Sequence, residues 1–230
     1  MAVREFSIVD VVGVRSYREE EVEVAGSTRK LAALSEAECE SILSLMDRLY
    51  YENANKATRA LVAENAELVI DLVRAVKTET KQEFAGPVAR GNQLTLVDMT
   101  ADVFTRVWGG TSPIEFVNTI SATGSTDYIG TSSNPESVAE EEGYVFLGLT
   151  ELAASPKINK VLLTKNGDAY PYGNLNWDVD EDYYLAALPE PYFLPPETSY
   201  YITVYANKTG TTELKPIGFK VLQAKNVLSL

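Results

Sequence analysis

Ser199-Tyr200-Tyr201-Ile202-Thr203-Val204-Tyr205-Ala206 is the stretch whose reading decides the fold class. β-Branched and aromatic residues fit a pleated, half-buried ribbon. Side chains alternate along such a ribbon, so Tyr200, Ile202 and Val204 share one face and Tyr201, Thr203 and Tyr205 the other. Both faces carry apolar bulk, which predicts a strand covered on both sides.

Working outward, a period of two holds from Gly91 to the end. Further strands are expected over Gln93–Asp98, Val103–Trp108, Ile114–Ser121, Tyr144–Leu149, Asn159–Thr164 and Glu213–Ala224. Turn residues punctuate them: Gly109-Gly110, Thr123-Gly124-Ser125, Asn166-Gly167-Asp168 and Lys208-Thr209-Gly210. Asn166-Gly167 suits a tight turn of positive φ. Ala206 to Gly210 reads as a hairpin loop joining the last two strands. No helix of useful length separates the strands, so antiparallel pairing is expected. Seven or eight strands in this length match a two-sheet sandwich or jelly roll, with Ser132–Glu142 and Asn174–Pro196 as end loops.

Upstream of Gly91 the period changes. Phe6 to Val14 is rich in β-branched residues and Glu21-Val22-Glu23-Val24 alternates, giving two short strands. Ser35 stands three residues before Glu38, the spacing of a capping box. Ile42, Leu45, Met46 and Leu49 then form one apolar stripe, and Leu61, Leu68, Leu72 and Val76 a second, with Glu64, Arg74 and Lys77 off it. Two amphipathic helices are expected, about 36–51 and 56–79. The chain divides into 1–90, strands and a helical hairpin packed on or extending from the sandwich, and 91–230, the sandwich itself.

Composition narrows the chemistry. The chain holds no histidine, one cysteine, and a net charge of −13 with a pI of about 4.5. Without histidine, the commonest general base and the most frequent transition-metal ligand are both missing. Lone Cys39 forms no intrachain disulfide and no multi-thiolate zinc site, and is read as an inert thiol. The acidic balance argues against direct binding of nucleic acid or anionic lipid. It suits concentrated salt, where screening limits repulsion, and equally suits an ordinary acidic protein; charge alone leaves both open. No apolar signal core opens the sequence, so a soluble, non-secreted product is expected.

No phosphate loop and no nucleophile elbow occurs. Asp178-Val179-Asp180-Glu181-Asp182 resembles the start of a calcium loop but lacks its later glycine and glutamate, and reads as a hydrated acidic tip. A carboxylate-dependent enzyme on that cluster ranks last. Asn207-Lys208-Thr209 matches a glycosylation sequon, expected to be unused. No catalytic, cofactor-binding or metal residue is assigned, and no small-molecule substrate is expected. Loop aromatics, the proline-flanked Tyr170, Tyr172, Tyr192 and Phe193 together with Trp177, are the candidate interface residues. The competing use of such rings is stacking on sugars, which would make the chain a carbohydrate- or receptor-binding sandwich of a virion or cell-surface assembly.

Tyr144-Val145-Phe146-Leu147-Gly148-Leu149, Lys160-Val161-Leu162-Leu163-Thr164-Lys165-Asn166-Gly167-Asp168 and Tyr200-Tyr201-Ile202-Thr203-Val204-Tyr205, in an acidic, histidine-free chain, resemble the single jelly-roll major capsid proteins of icosahedral, internal-membrane viruses of halophilic archaea. The resemblance covers roughly Leu94 to Leu222. It implies a mainly β, antiparallel jelly-roll sandwich with an N-terminal two-helix extension, made in the host cytoplasm and placed in the virion capsid. Its implied partners are other copies of itself, a second related coat protein and underlying membrane proteins.

Overall fold

The computed structural model describes residues 20–24, 27–48, 62–86, 89–99, 117–151, 155–169, 173–174, 176–178 and 183–224. In chain order they form β1 (Glu20–Val24), β2 (Ser27–Leu31), α1 (Glu36–Met46), α2 (Ala66–Thr80), β3 (Leu94–Asp98), β4 (Val117–Ile120), β5 (Gly124–Ile129), β6 (Glu136–Ser137), β7 (Glu142–Glu151), β8 (Ile158–Lys165), β9 (Asp168–Ala169), β10 (Gly173–Asn174), β11 (Asn176–Asp178), β12 (Tyr183–Leu194), β13 (Ser199–Ala206) and β14 (Gly210–Gln223). The strands expected at Phe6–Val14 and Val103–Trp108 lie outside the described residues.

α1 starts where its cap requires. The Ser35 hydroxyl accepts from the Glu38 N–H, and the Glu38 carboxylate accepts from the Ser35 N–H, which satisfies two donors left open by the first turn. α2 ends at Lys81, whose φ of 56° is left-handed and returns its N–H to the Lys77 carbonyl. Eight of the fifteen residues of α2 are buried, five of them consecutive from Leu72 to Val76, which is wider than one stripe. Arg74, expected off the apolar face, is 2% exposed; its Nη1 donates to Asp71 and its Nε to the Ala32 carbonyl. Those partners let a guanidinium sit in the interior.

Two sheets carry the fold. One has the order β11-β12-β7-β14-β3 and the other β10-β8-β13-β5, with β4 added to β14, β6 to β13 and β9 to β8. Eight of the strands pair in a nested way: β3 with β14, β5 with β13, β7 with β12 and β8 with β10, all antiparallel. Two further antiparallel pairs, β7 with β14 and β8 with β13, complete the sheets. Asn166 and Gly167, at φ 51° and 88°, make the tight turn between β8 and β9.

The connection at 207–209 is not a hairpin, contrary to its sequence. β13 and β14 belong to different sheets and do not pair; the Asn207 N–H donates to the Lys157 carbonyl as the chain crosses over. Only the global pairing chooses between those two uses of one short turn.

Two apolar cores result. The first lies between the sheets, where Tyr144, Phe146, Leu149, Tyr192 and Leu222 meet Tyr200, Ile202, Val204, Val161 and Leu163. The second lies between the outer face of the β7 sheet and the helices, joining Val145, Leu147, Phe193 and Phe219 to Ile42, Met46, Val69, Leu72 and Val76. The architecture is thus helices, sheet, sheet, and the middle layer is covered on both faces. All ten residues of β7 are buried. The two-sided coverage expected of β13 belongs to β7 instead: on β13, Tyr200, Ile202, Val204 and Ala206 are buried while Tyr205 is 47% exposed. Among the described residues the helices cover one sheet and not the other, which periodicity does not encode.

Two glycines permit this packing. A Cβ on Gly143 would stand 2.6 Å from Leu72 Cδ1 and 2.8 Å from Val76 Cγ2, so α2 rests on the bare backbone of β7. A Cβ on Gly218 would overlap the Val145 carbonyl. There the register shifts between Ile217 and Gly218, leaving Leu147 as an extra residue and changing the phase of β7.

Candidate functional site

Of the five candidate interface aromatics, Trp177, Tyr192 and Phe193 lie among the described residues. Tyr192 and Phe193, read as loop residues, lie in β12 opposite Phe146 and Val145 of β7, and are 2% and 5% exposed. Tyr192 fills the core between the sheets and Phe193 the core under the helices. This corrects the expectation of a loop over Asn174–Pro196. Pro189 and Pro191 argue against a strand, since neither donates to a ladder, and the structure accommodates them in a register break between Ala187 and Tyr192. β11 pairs only with Tyr183 to Leu185, so the prolines fall on a stretch whose second edge no named strand takes up among the described residues. Trp177 is in β11 with its backbone opposite Tyr184. Tyr170 and Tyr172 lie outside the described residues, as do Asp180, Glu181 and Asp182 of the acidic cluster. Among the described residues no three Asp, Glu or Cys side chains converge as metal ligands.

Periodicity also missed β5, since Gly124-Ser125-Thr126-Asp127 is poor in strand formers and begins on a turn signal. Its cue is Tyr128, buried with its hydroxyl donating to the Thr212 carbonyl.

The buried carboxylates of the sheets stand at the two ends of β7. At one end Glu142 Oε2 lies 2.6 Å from Lys220 Nζ and accepts from the Tyr144 hydroxyl at 2.7 Å. The ammonium also stands 4.8 Å from the Tyr144 ring centre. Burial pushes the Lys220 amine below its ordinary value, against the pull of Glu142. Burial likewise raises the Tyr144 phenol well above its own, reinforced by the Glu142 charge, and Tyr200 is raised by burial as well. Lys165, also buried, donates to the Phe193 carbonyl and so ties one sheet to the other. At the opposite end Glu151 accepts from the Lys157 and Ile158 N–H groups and from the Thr212 hydroxyl. Both carboxylates are fully engaged inside the fold. Neither is presented to a substrate, so they act as end plates of the core.

A third engaged carboxylate lines an open cleft of about 640 Å³ between α1, Lys77 of α2 and Glu83-Phe84-Ala85. Burial would raise the Glu38 carboxyl, but hydrogen bonds from Lys77 and from the Ser35 and Phe84 N–H groups outweigh it and hold the group below its ordinary value. Cys39 is buried nearby at 3% exposure. The acid is committed to fastening α1 to α2 and to the chain leading into β3.

The remaining candidate surface is the outer face of the sheet β10-β8-β13-β5, which no helix among the described residues covers. Cross-strand partners share a face, so Tyr201, Thr203 and Tyr205 of β13 stand beside Leu162 and Lys160 of β8 and Asp127 of β5. Tyr205 and Val117 are the exposed large hydrophobic residues among those described. Asn207 of the sequon is exposed at the end of this sheet, donating to Asn159 Oδ1.

No protein-family model matches the chain, and no curated protein does. A solved structure described as dimeric latent PorU from Porphyromonas gingivalis aligns over 62% of this chain and 14% of that one, at 14% identity and a TM-score of 0.24. A score that low carries no argument about fold or function. The chain is mainly β, with two antiparallel sheets stacked as a sandwich.

Proposed function

We propose that the chain is a structural coat subunit: a jelly roll that assembles with copies of itself, and with a second related coat protein, into an icosahedral shell over an internal membrane. The observation that carries this reading is the nested pairing of eight strands, first with last and inward to the fourth with the fifth. Folding such a nested ribbon over itself generates the two Greek keys of a jelly roll. The spent interior carboxylates and the absence of histidine from the sequence agree with a role in assembly. Helices backing one sheet leave the other sheet for contacts with neighbours.

The test is to purify the chain in molar salt, follow its mass by light scattering as concentration rises, and examine the products by electron microscopy. Mass spectrometry of particles containing it then reports the stoichiometry of any second coat protein. Defined capsomers or shells with a stoichiometric partner are expected. A chain that stays monomeric at every salt and protein concentration, and is missing from particles, would remove the proposal.

A further inference from the structure

We infer that the outer face of the sheet β10-β8-β13-β5 pairs with the same face of a second copy of this chain, antiparallel and about a two-fold axis perpendicular to β13. This deepens the assembly reading and rests on it. The centre of the face carries Leu162, Tyr201, Thr203 and the 47% exposed Tyr205, with a single carboxylate, Asp127 of β5, which accepts from the Thr203 hydroxyl. The ends differ in sign. Where β13 finishes, Lys157 leads into β8, Lys160 stands opposite Tyr205, and Lys208 occupies the crossing to β14. Lys160 and Lys208 are exposed, and the Lys157 and Lys208 amines donate to Ser155 oxygens. Where β13 begins, Glu197 precedes it, Asp168 follows the turn after β8, and Glu140 lies beside the 138–198 backbone pairing. All three acids are exposed.

In a chain of net charge −13, grouping lysines at one end of a sheet that no described helix covers gives that face a direction. A parallel arrangement would set lysines on lysines and acids on acids. The antiparallel two-fold sets each basic end on the partner's acidic end, and the contact is self-complementary as such symmetry demands. Sheets stack about 10 Å apart with strands nearly aligned, which is the geometry this pairing requires.

The experiment uses two charge-reversed chains. One carries Lys157→Glu, Lys160→Glu and Lys208→Glu; the other carries Glu140→Lys, Asp168→Lys and Glu197→Lys. Sedimentation velocity at about 0.15 M salt, where the screening length is about 8 Å, reads their association. Each variant alone is expected to lose self-association by at least tenfold in Kd, while an equimolar mixture regains it. Both variants keep a net negative charge, so general attraction does not explain a regain. If either triple variant fails to fold by circular dichroism, Lys208→Glu and Glu197→Lys at exposed turns are mixed in the same way. Parent protein that is monomeric throughout, parent dimers indifferent to both reversals, or a folded mixture that stays monomeric would each overturn the pairing. Shells or capsomers that form despite such a result would leave the coat reading standing and remove this face alone.

Discussion

Lys220 and Glu142 are the least forgiving residues of the interior. Each is a charge withdrawn from water, and removing one strands the other; breaking such a buried pair costs about 3–5 kcal/mol. Lys220→Ala is therefore expected to lower unfolding free energy by about that amount in a denaturant titration. Lys220→Met combined with Glu142→Gln, which removes both charges, should lose far less. Equal losses in the single and double variants would show that the charge pair is not the cause. Glu38 supplies the acid dependence. Its folded pKa lies below the ordinary carboxylate value, so its contribution is present above the unfolded pKa and is lost as pH falls through the folded one. Glu38→Gln is expected to flatten the decline in stability below about pH 4.5, measured by thermal melts across pH. A slope identical to the parent's would show that Glu38 is not coupled to folding.

At the scale of elements, the contact between α2 and β7 depends on a missing side chain. Gly143→Val drives a branched side chain into Leu72 and Val76. Overpacking of this kind costs about 1–3 kcal/mol, and hydrogen exchange in α2 should accelerate while the opposite sheet, far from the substitution, keeps its protection. Ser35→Ala removes one half of the capping box and should cost about 1 kcal/mol, with fraying confined to the start of α1. A loss distributed evenly over the molecule would contradict both. Element types were readable where one local signal dominated: the capping box at Ser35, the Asn166-Gly167 turn, the alternation of β13. They were misread where local chemistry and tertiary role diverge. Pro189 and Pro191 disguised β12, and a run of Gly, Ser and Asp disguised β5.

At the scale of the whole molecule, the helices and the β7 sheet share one core, so 1–90 does not end where the packing of the sandwich begins. Leu72→Ala should cost about 2–5 kcal/mol and shift helix and sheet signals together in one transition. A chain begun at Phe84 would expose the outer face of the middle sheet, Val145, Leu147, Phe219 and Val221, and is expected to aggregate or bind a hydrophobic dye. A soluble, cooperatively folding truncated chain would show that the sandwich is independent of its helical layer.

The sequence by itself determined the antiparallel β character after Gly91, the amphipathic helices before it, and the poverty of catalytic groups. These follow from side-chain period, turn chemistry and composition, which act over a few residues. Only the tertiary structure decided that Tyr192 and Phe193 are core, that the turn at 207–209 crosses between sheets, and that β7 carries the two-sided burial assigned to Tyr200–Ala206. Which face is covered depends on what packs against it from afar, and a single strand's alternation has no access to that. The outer face of β13 is the consequence: apolar on both sides in its sequence, the strand is buried on one side by the fold, while Tyr205 on the other stays 47% exposed.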